Sequence, residues 1–274
     1  PSGGDSAGEG TTGGDTTGGD SAGEGTTGGG SAGGSGTNTG GVSAPSAVSA
    51  PMQTSVQNGA AKTVVNTAGG DKLVREAVAN QSEAVVIKPQ INVGVTKTEV
   101  SIPASMVSRI QSETSANLTV STPVAEVTIP NAALNTLSSA GGIVSVVTEQ
   151  AENAVALTLS AGGRRVDSIP GGLTLTVPVE DAGPGTVAVL VRDDGTRETI
   201  RKAVPEDGEL SILLNGSARV EIVDNSKEFA DVSASDWEAD AVAFASAHEL
   251  FNGTSETRFS PNQSMSRAML ATVL

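Results

Sequence analysis

EVSIPASM (residues 99–106) and EVTIPNAAL (126–134) share one plan. In each, a β-branched run alternates with polar residues, meets a proline and gives way to apolar residues at helical spacing. Met106, Val107 and Ile110 follow the first proline; Ala133, Leu134 and Leu137 follow the second. Proline suits the first turn of a helix, where its missing N–H has no intrahelical partner to lose. Each copy therefore predicts a strand, a proline and a helix, and the surrounding chain reads as an α+β fold.

Working outward, residues 71–79 (DKLVREAVA) put Leu73, Val74, Ala77 and Val78 on one helical face. The run 84–88 (AVVIK) predicts a strand stopped by Pro89. From 143 to 222 the pattern changes to strands. Val144 and Val146; Val155, Leu157 and Leu159; Leu173, Leu175 and Val177; Val187, Val189 and Val191; Leu210, Ile212 and Leu214; and Val220 with Ile222 all recur at every second position. Turn chemistry separates these runs: paired glycines at 162–163 and 171–172, Gly-Pro-Gly at 183–185, Asp-Gly at 194–195 and 207–208, and Asn-Gly at 215–216. Residues 52–224 thus read as one β-rich domain with short helices. It contains no tryptophan or tyrosine, so its core rests on Val, Ile, Leu and Ala.

Residues 1–51 are of another kind. GGDSAGEGTTGG stands at 3–14 and again at 18–29. A repeat this short and polar buries nothing, so it reads as a disordered acidic Gly/Ser/Thr-rich linker, extended by Asp5, Glu9, Asp15, Asp20 and Glu24. A calcium-binding repeat would need an apolar position in each turn, and none is present. GEGTTG (23–28) and GGSAG (29–33) match a dinucleotide fingerprint and a nucleophile elbow as strings only. Neither has the strand before it and the helix after it that give those patterns meaning.

The chain has 274 residues, with 31 acidic and 16 basic side chains, for a net charge of −15. That balance argues against nucleic acid or an anionic membrane as the main partner. There is no cysteine, which excludes disulfides and thiolate zinc sites. No apolar run approaches the roughly 20 residues of a membrane span, so no membrane insertion is expected. The sequence assigns no cofactor and no metal. It begins at Pro1 rather than Met and stops within a helical pattern, which predicts a piece of a longer protein.

The last segment, 225–274, holds FADVSASDWEADAVAFASAHELFNGTSETRFSPNQSMSRAMLATVL from 229 onward. Ser235 and Glu238 have capping-box spacing at a predicted helix start. Trp237, Ala241, Phe244, Ala245 and His248 then share a face. Gly253 predicts the left-handed turn that closes the helix. Arg267 opens a second helix whose apolar side is Met265, Ala268, Met269 and Thr272. So small a unit cannot bury a full core alone. His248, the single histidine, has no suggested partner and reads as packing.

The order Phe-x-Asp-Val (229–232), a helix led by Trp237, Gly253, Phe259-x-Pro261 and Ser266-Arg267-Ala268 resembles an S-layer homology repeat, here an incomplete two-helix one. The resemblance implies an extracellular protein held in the cell wall or S-layer. It implies further repeats downstream and grooves that bind an anionic secondary cell-wall polysaccharide. By motif position it implies Arg267 as the main glycan contact, Trp237 as an apolar platform, and Asp231 and Ser266 as polar support. Trp237 as core and Asp231 as a brace of its own loop remain open beside those roles. The family's usual Thr-Arg-Ala-Glu is Ser266-Arg267-Ala268-Met269 here, so the acid is missing. Residues 55–225 resemble a domain that precedes such repeats in surface proteins of Gram-positive anaerobes, which implies a spacer.

The resulting expectation is a non-enzymatic region that anchors an upstream module to the wall. Two alternatives stay open. One is part of a secreted glycan-degrading enzyme with its catalytic domain upstream. The other is an adhesin or a lattice subunit.

Overall fold

The computed structural model describes residues 52–273, so the linker expected over 1–51 lies outside the described residues. The first half alternates strands and helices: β1 (Met52–Gln57), β2 (Ala60–Val65), α1 (Thr67–Asn80), β3 (Ala84–Ile87), β4 (Lys97–Pro103), α2 (Ala104–Glu113), β5 (Asn117–Ser121), β6 (Glu126–Ile129) and α3 (Asn131–Ser138). Strands follow: β7 (Ile143–Ala151), β8 (Ala154–Ala161), β9 (Arg164–Arg165), β10 (Leu173–Pro178), β11 (Thr186–Val191), β12 (Arg197–Thr199), β13 (Pro205–Glu206), β14 (Glu209–Leu214) and β15 (Ala218–Asp224). Two helices close the described chain, α4 (Ala239–Ala247) and α5 (Arg267–Val273). The class is mixed α+β, rich in strand.

Both strand–proline–helix units form, with one shift. Pro103 and Pro130 occupy the position before the helix, at φ −58 and −59 with extended ψ, rather than the first helical turn. The fixed φ of proline fits either place; the extended ψ lets it finish the strand first. Asn131, at the start of α3, reaches back to the end of α2. Its Nδ2 donates to the carbonyls of Thr114 and Ala116 at 3.1 and 3.0 Å. Its backbone N–H donates to Asn117 Oδ1 at 3.1 Å. One residue thus satisfies backbone groups where the two units meet.

The strands assemble into two sheets. The larger runs β1-β2-β4-β7-β8-β15-β11-β12, with β9 paired to β8; the smaller runs β13-β14-β10-β6-β5-β3. Most pairings are antiparallel, but β2–β4 and β3–β5 are parallel. Helix α2 touches β4 and β7 of the larger sheet and β5 of the smaller, and α3 touches β5 and β8. Both therefore wedge between the sheets. One core joins them, with Leu134, Ile110, Ile102, Leu118, Leu157 and Leu175 all fully buried.

Three local readings change. Helix α1 starts at Thr67, ahead of the expected 71–79, because Asn66 caps it by accepting the Gly69 N–H at 2.7 Å. Val78 is exposed rather than on its buried face. The β1–β2 hairpin at Asn58-Gly59 turns with both residues at positive φ, as Asn-Gly favours. At β11 the expected face of Val187 and Val189 is buried, and so is the opposite one, which a half-buried reading did not anticipate. Ala188 joins the main core, while Val187 and Val189 face outward against Ala247 of α4 and Val223 of β15. Here a helix from the next segment covers the outer face.

Candidate functional site

The C-terminal segment is built on β11, β12 and β15. Beyond the apolar contact of Ala247, Asn225 Nδ2 donates to the Ala247 carbonyl at 2.8 Å, and Thr199 Oγ1 donates to Glu249 Oε1 at 2.9 Å. His248 is fully buried with its ring 4.2 Å from that of Phe244. Its Nδ1 lies 3.1 Å from the Arg201 carbonyl, which can only accept, so Nδ1 carries the proton. Nε2 has no partner. His248 is thus a packing residue at the joint between the sheet and the segment.

Helix α4 does not begin as the sequence predicts. The Ser235–Glu238 capping box is absent, and Glu238 stands before the helix with no side-chain cap. Instead Asp236 folds the chain into a turn, its Oδ2 accepting the Ser233 N–H at 2.7 Å. The helix consequently starts at Ala239 and Trp237 lies ahead of it. The buried face becomes Val242, Ser246, Ala247 and His248, with Ala241 exposed. The helix ends at Ala247, and the left-handed residue that closes it is Glu249, φ 55, not Gly253. Leu250 N–H returns to the Ala245 carbonyl at 2.9 Å, as such an ending requires.

Gly253 has its own task in the loop beyond. At φ +79 it lets Thr254 and Ser255 donate to the Arg258 carbonyl at 2.9 and 3.1 Å. Phe229 and Phe259 pack edge to face, centroids 5.3 Å apart, beneath this loop. Asp231 holds it from the other side. Oδ1 accepts the Phe259 N–H at 3.0 Å and Oδ2 the Ser260 N–H at 2.9 Å. Burial pushes the Asp231 carboxyl up, but these two amide bonds, helped by the Arg258 charge, outweigh it and hold it below its ordinary value.

That shift has a testable consequence. The carboxyl titrates lower in the fold than at the roughly 3.9 of an unfolded chain. Its stabilisation is therefore full above about pH 5 and is lost as pH falls through the lowered value. Asp231→Ala is expected to melt below the wild type at neutral pH, and the gap is expected to narrow progressively on acidification below about pH 4. A gap of constant size across a thermal melting series would contradict this.

The four residues singled out from sequence do not converge on one cleft. Asp231 spends both carboxylate oxygens on its own loop. Ser266 Oγ accepts the Met269 N–H at 3.2 Å and so caps α5. Arg267 opens α5, exposed, and makes no ion pair among the described residues. Trp237 is 93% exposed, which removes the core reading for that side chain. A cleft of about 340 Å³ lies elsewhere in the segment, lined by Phe251, Gly253, Phe259, Pro261, Met265 and Met269. Phe-x-Pro signalled part of it; Phe251 passed unnoticed because its neighbours come from the loop rather than the helix. On α5 the apolar side expected from sequence stays open. Met265, Met269 and Leu270 are each about half exposed, and the Thr272 side chain lies outside the described residues.

Among the described residues, no helix is long and apolar enough to cross a membrane. No curated protein and no solved structure matches the chain. Residues 228–269 match the family model of the S-layer homology domain, a domain that implies anchoring at the cell surface through wall polysaccharide. The match spans the unit built around Phe229, Asp231, α4 and Phe259, and it makes the chain an S-layer homology domain-containing protein.

Proposed function

We propose that the chain is a non-enzymatic region of an extracellular wall protein. Its C-terminal segment binds an anionic secondary cell-wall polysaccharide and so holds an upstream module on the wall, while the β-rich body serves as a spacer. The observation that carries this reading is the match over 228–269 together with an exposed Arg267 that makes no ion pair among the described residues. A guanidinium offers a carboxylate two parallel hydrogen bonds. Trp237, also open to solvent, offers a sugar ring an apolar face.

The open apolar side of α5 supports the expectation of further repeats. Met265, Met269 and Leu270 would be covered by a following repeat, and the groove between two repeats would then bring Arg267 to the glycan. A single repeat binds weakly on this reading. In the full-length protein, Arg267→Ala is expected to weaken binding to purified walls by about tenfold or more, the worth of a charge-assisted hydrogen bond. Unchanged binding in a wall pull-down would remove Arg267 from the glycan site.

A further inference from the structure

A second cleft, of about 880 Å³, opens beside the edge where β11, β12 and the end of β14 meet. Its walls carry Arg165, Arg192, Arg197, Arg201, Lys202 and Arg219. Six of the chain's 16 basic side chains thus stand in one concavity, against the four carboxylates of Asp167, Asp193, Glu198 and Glu249. Over the whole chain acids outnumber bases 31 to 16. The cleft therefore reverses the sign of its surroundings, and a concave low-dielectric wall focuses that field.

The plain alternative is that these arginines merely neutralise local acids. All five arginines do pair with a nearby acid, but they share four carboxylates. Arg192 meets Glu198 through one nitrogen at 2.5 Å, and Arg165 meets Asp167 likewise. Arg201 stands 3.9 Å from Glu249, and Arg219 stands 3.8 Å from Glu221, which Arg197 also uses. Even with Glu221 counted, the cations are in excess. Lys202 makes no ion pair among the described residues. Each guanidinium carries five donors, so most remain open to a ligand. The rim also holds Leu213, 69% exposed, an apolar ledge beside the charges.

We propose that this cleft binds a carboxylate-bearing polysaccharide, at a site distinct from the S-layer homology segment. Spread cations, an apolar ledge and an open groove suit spaced carboxylates on sugar rings. A stiff, densely charged duplex would be repelled by the strongly acidic remainder of the chain. Glu249, just beyond α4, lines the same cleft, so bound glycan would brace the joint between spacer and anchor. The proposal rests on the wall-anchoring reading only for the place where such a polymer is met.

The probe is a series of polygalacturonate oligomers, titrated calorimetrically into the full chain, with dextran as the neutral control. The wild type is expected to bind the acidic oligomers and not dextran, more weakly as salt rises. Combined Arg165→Gln, Arg201→Gln and Lys202→Gln is expected to weaken binding about tenfold or more. Asp193→Asn, which removes an exposed rim acid, is expected to strengthen it and reads the site without any loss of cation. Arg267→Ala is expected to leave it unchanged. Equal binding by the triple variant, no binding by the wild type, or tighter binding of duplex DNA with the same variant dependence would overturn the proposal. A loss confined to Arg267→Ala would also overturn it while sparing the anchoring reading, whose own failure would show in wall pull-downs and not here.

Discussion

Leu134→Ala is expected to lower the unfolding free energy by about 2–5 kcal/mol, the range for a leucine removed from a closed core. For a domain of this size that corresponds to a Tm drop on the order of 5–15 °C. Leu134 is fully buried on α3, which touches β5 of one sheet and β8 of the other. Collapse into the cavity would require the sheets to approach, and α2, wedged beside α3, holds them apart. The upper part of the range is therefore expected. Leu213→Ala, at a position 69% exposed, is expected to change stability by less than about 0.5 kcal/mol. Similar losses at both positions in chemical denaturation would contradict the single core.

Gly253→Val is the second large effect, and it is local. A left-handed backbone alone costs a non-glycine residue about 1–2 kcal/mol. In addition, a Cβ at Gly253 would lie 2.5 Å from the Arg258 carbonyl oxygen, 3.1 Å from the Phe259 Cα and 3.2 Å from the Phe229 ring. Two of those atoms are backbone, so no side-chain rotation relieves the contact. The loop would have to let go of Asp231 and of the Phe229–Phe259 pair. Amides of Phe259 and Ser260 are expected to exchange more than about tenfold faster, while β7 and β8 keep their protection. Gly163 separates the two costs. It has φ +78 with nothing within 4 Å of its Cβ position, so Gly163→Val carries only the backbone term. Equal effects at the two glycines would show that the loop is looser than its contacts indicate.

The α+β class and most strands were legible because their signals are local. Proline after a β-branched run ends a strand wherever the chain folds. Asn-Gly was a poorer guide: the expected pair at 215–216 has neither residue at positive φ and links strands of different sheets, while Asn58-Gly59, not among the expected turns, makes the hairpin. The sheet order was not legible, since β15 sits between β8 and β11 only through pairings distant in sequence. The burial of both faces of β11 was hidden for the same reason: α4, distant in sequence, covers Val187 and Val189, while Ala188 joins the main core. At α4 a correct capping pattern lost to the Asp236 turn, which moved Trp237 off the helix and into solvent.

The site divides in the same way. The spacing of Phe229, Asp231 and Phe259 identified the segment, and the structure gives Asp231 the bracing role left open beside glycan support. The basic cleft had no sequence signature. Arg165, Arg192 and Arg219 are scattered over three strand regions, and only the order of the strands gathers them. Cations dispersed in a chain of net charge −15 look like solvated surface until they share a wall.

The central claim is that residues 228–269 hold the protein on wall polysaccharide. The most direct measurement is co-sedimentation of the full-length protein with purified walls, before and after chemical extraction of their polysaccharide. The protein is expected to pellet with intact walls and to stay in solution with extracted ones. Equal pelleting with both would contradict polysaccharide anchoring.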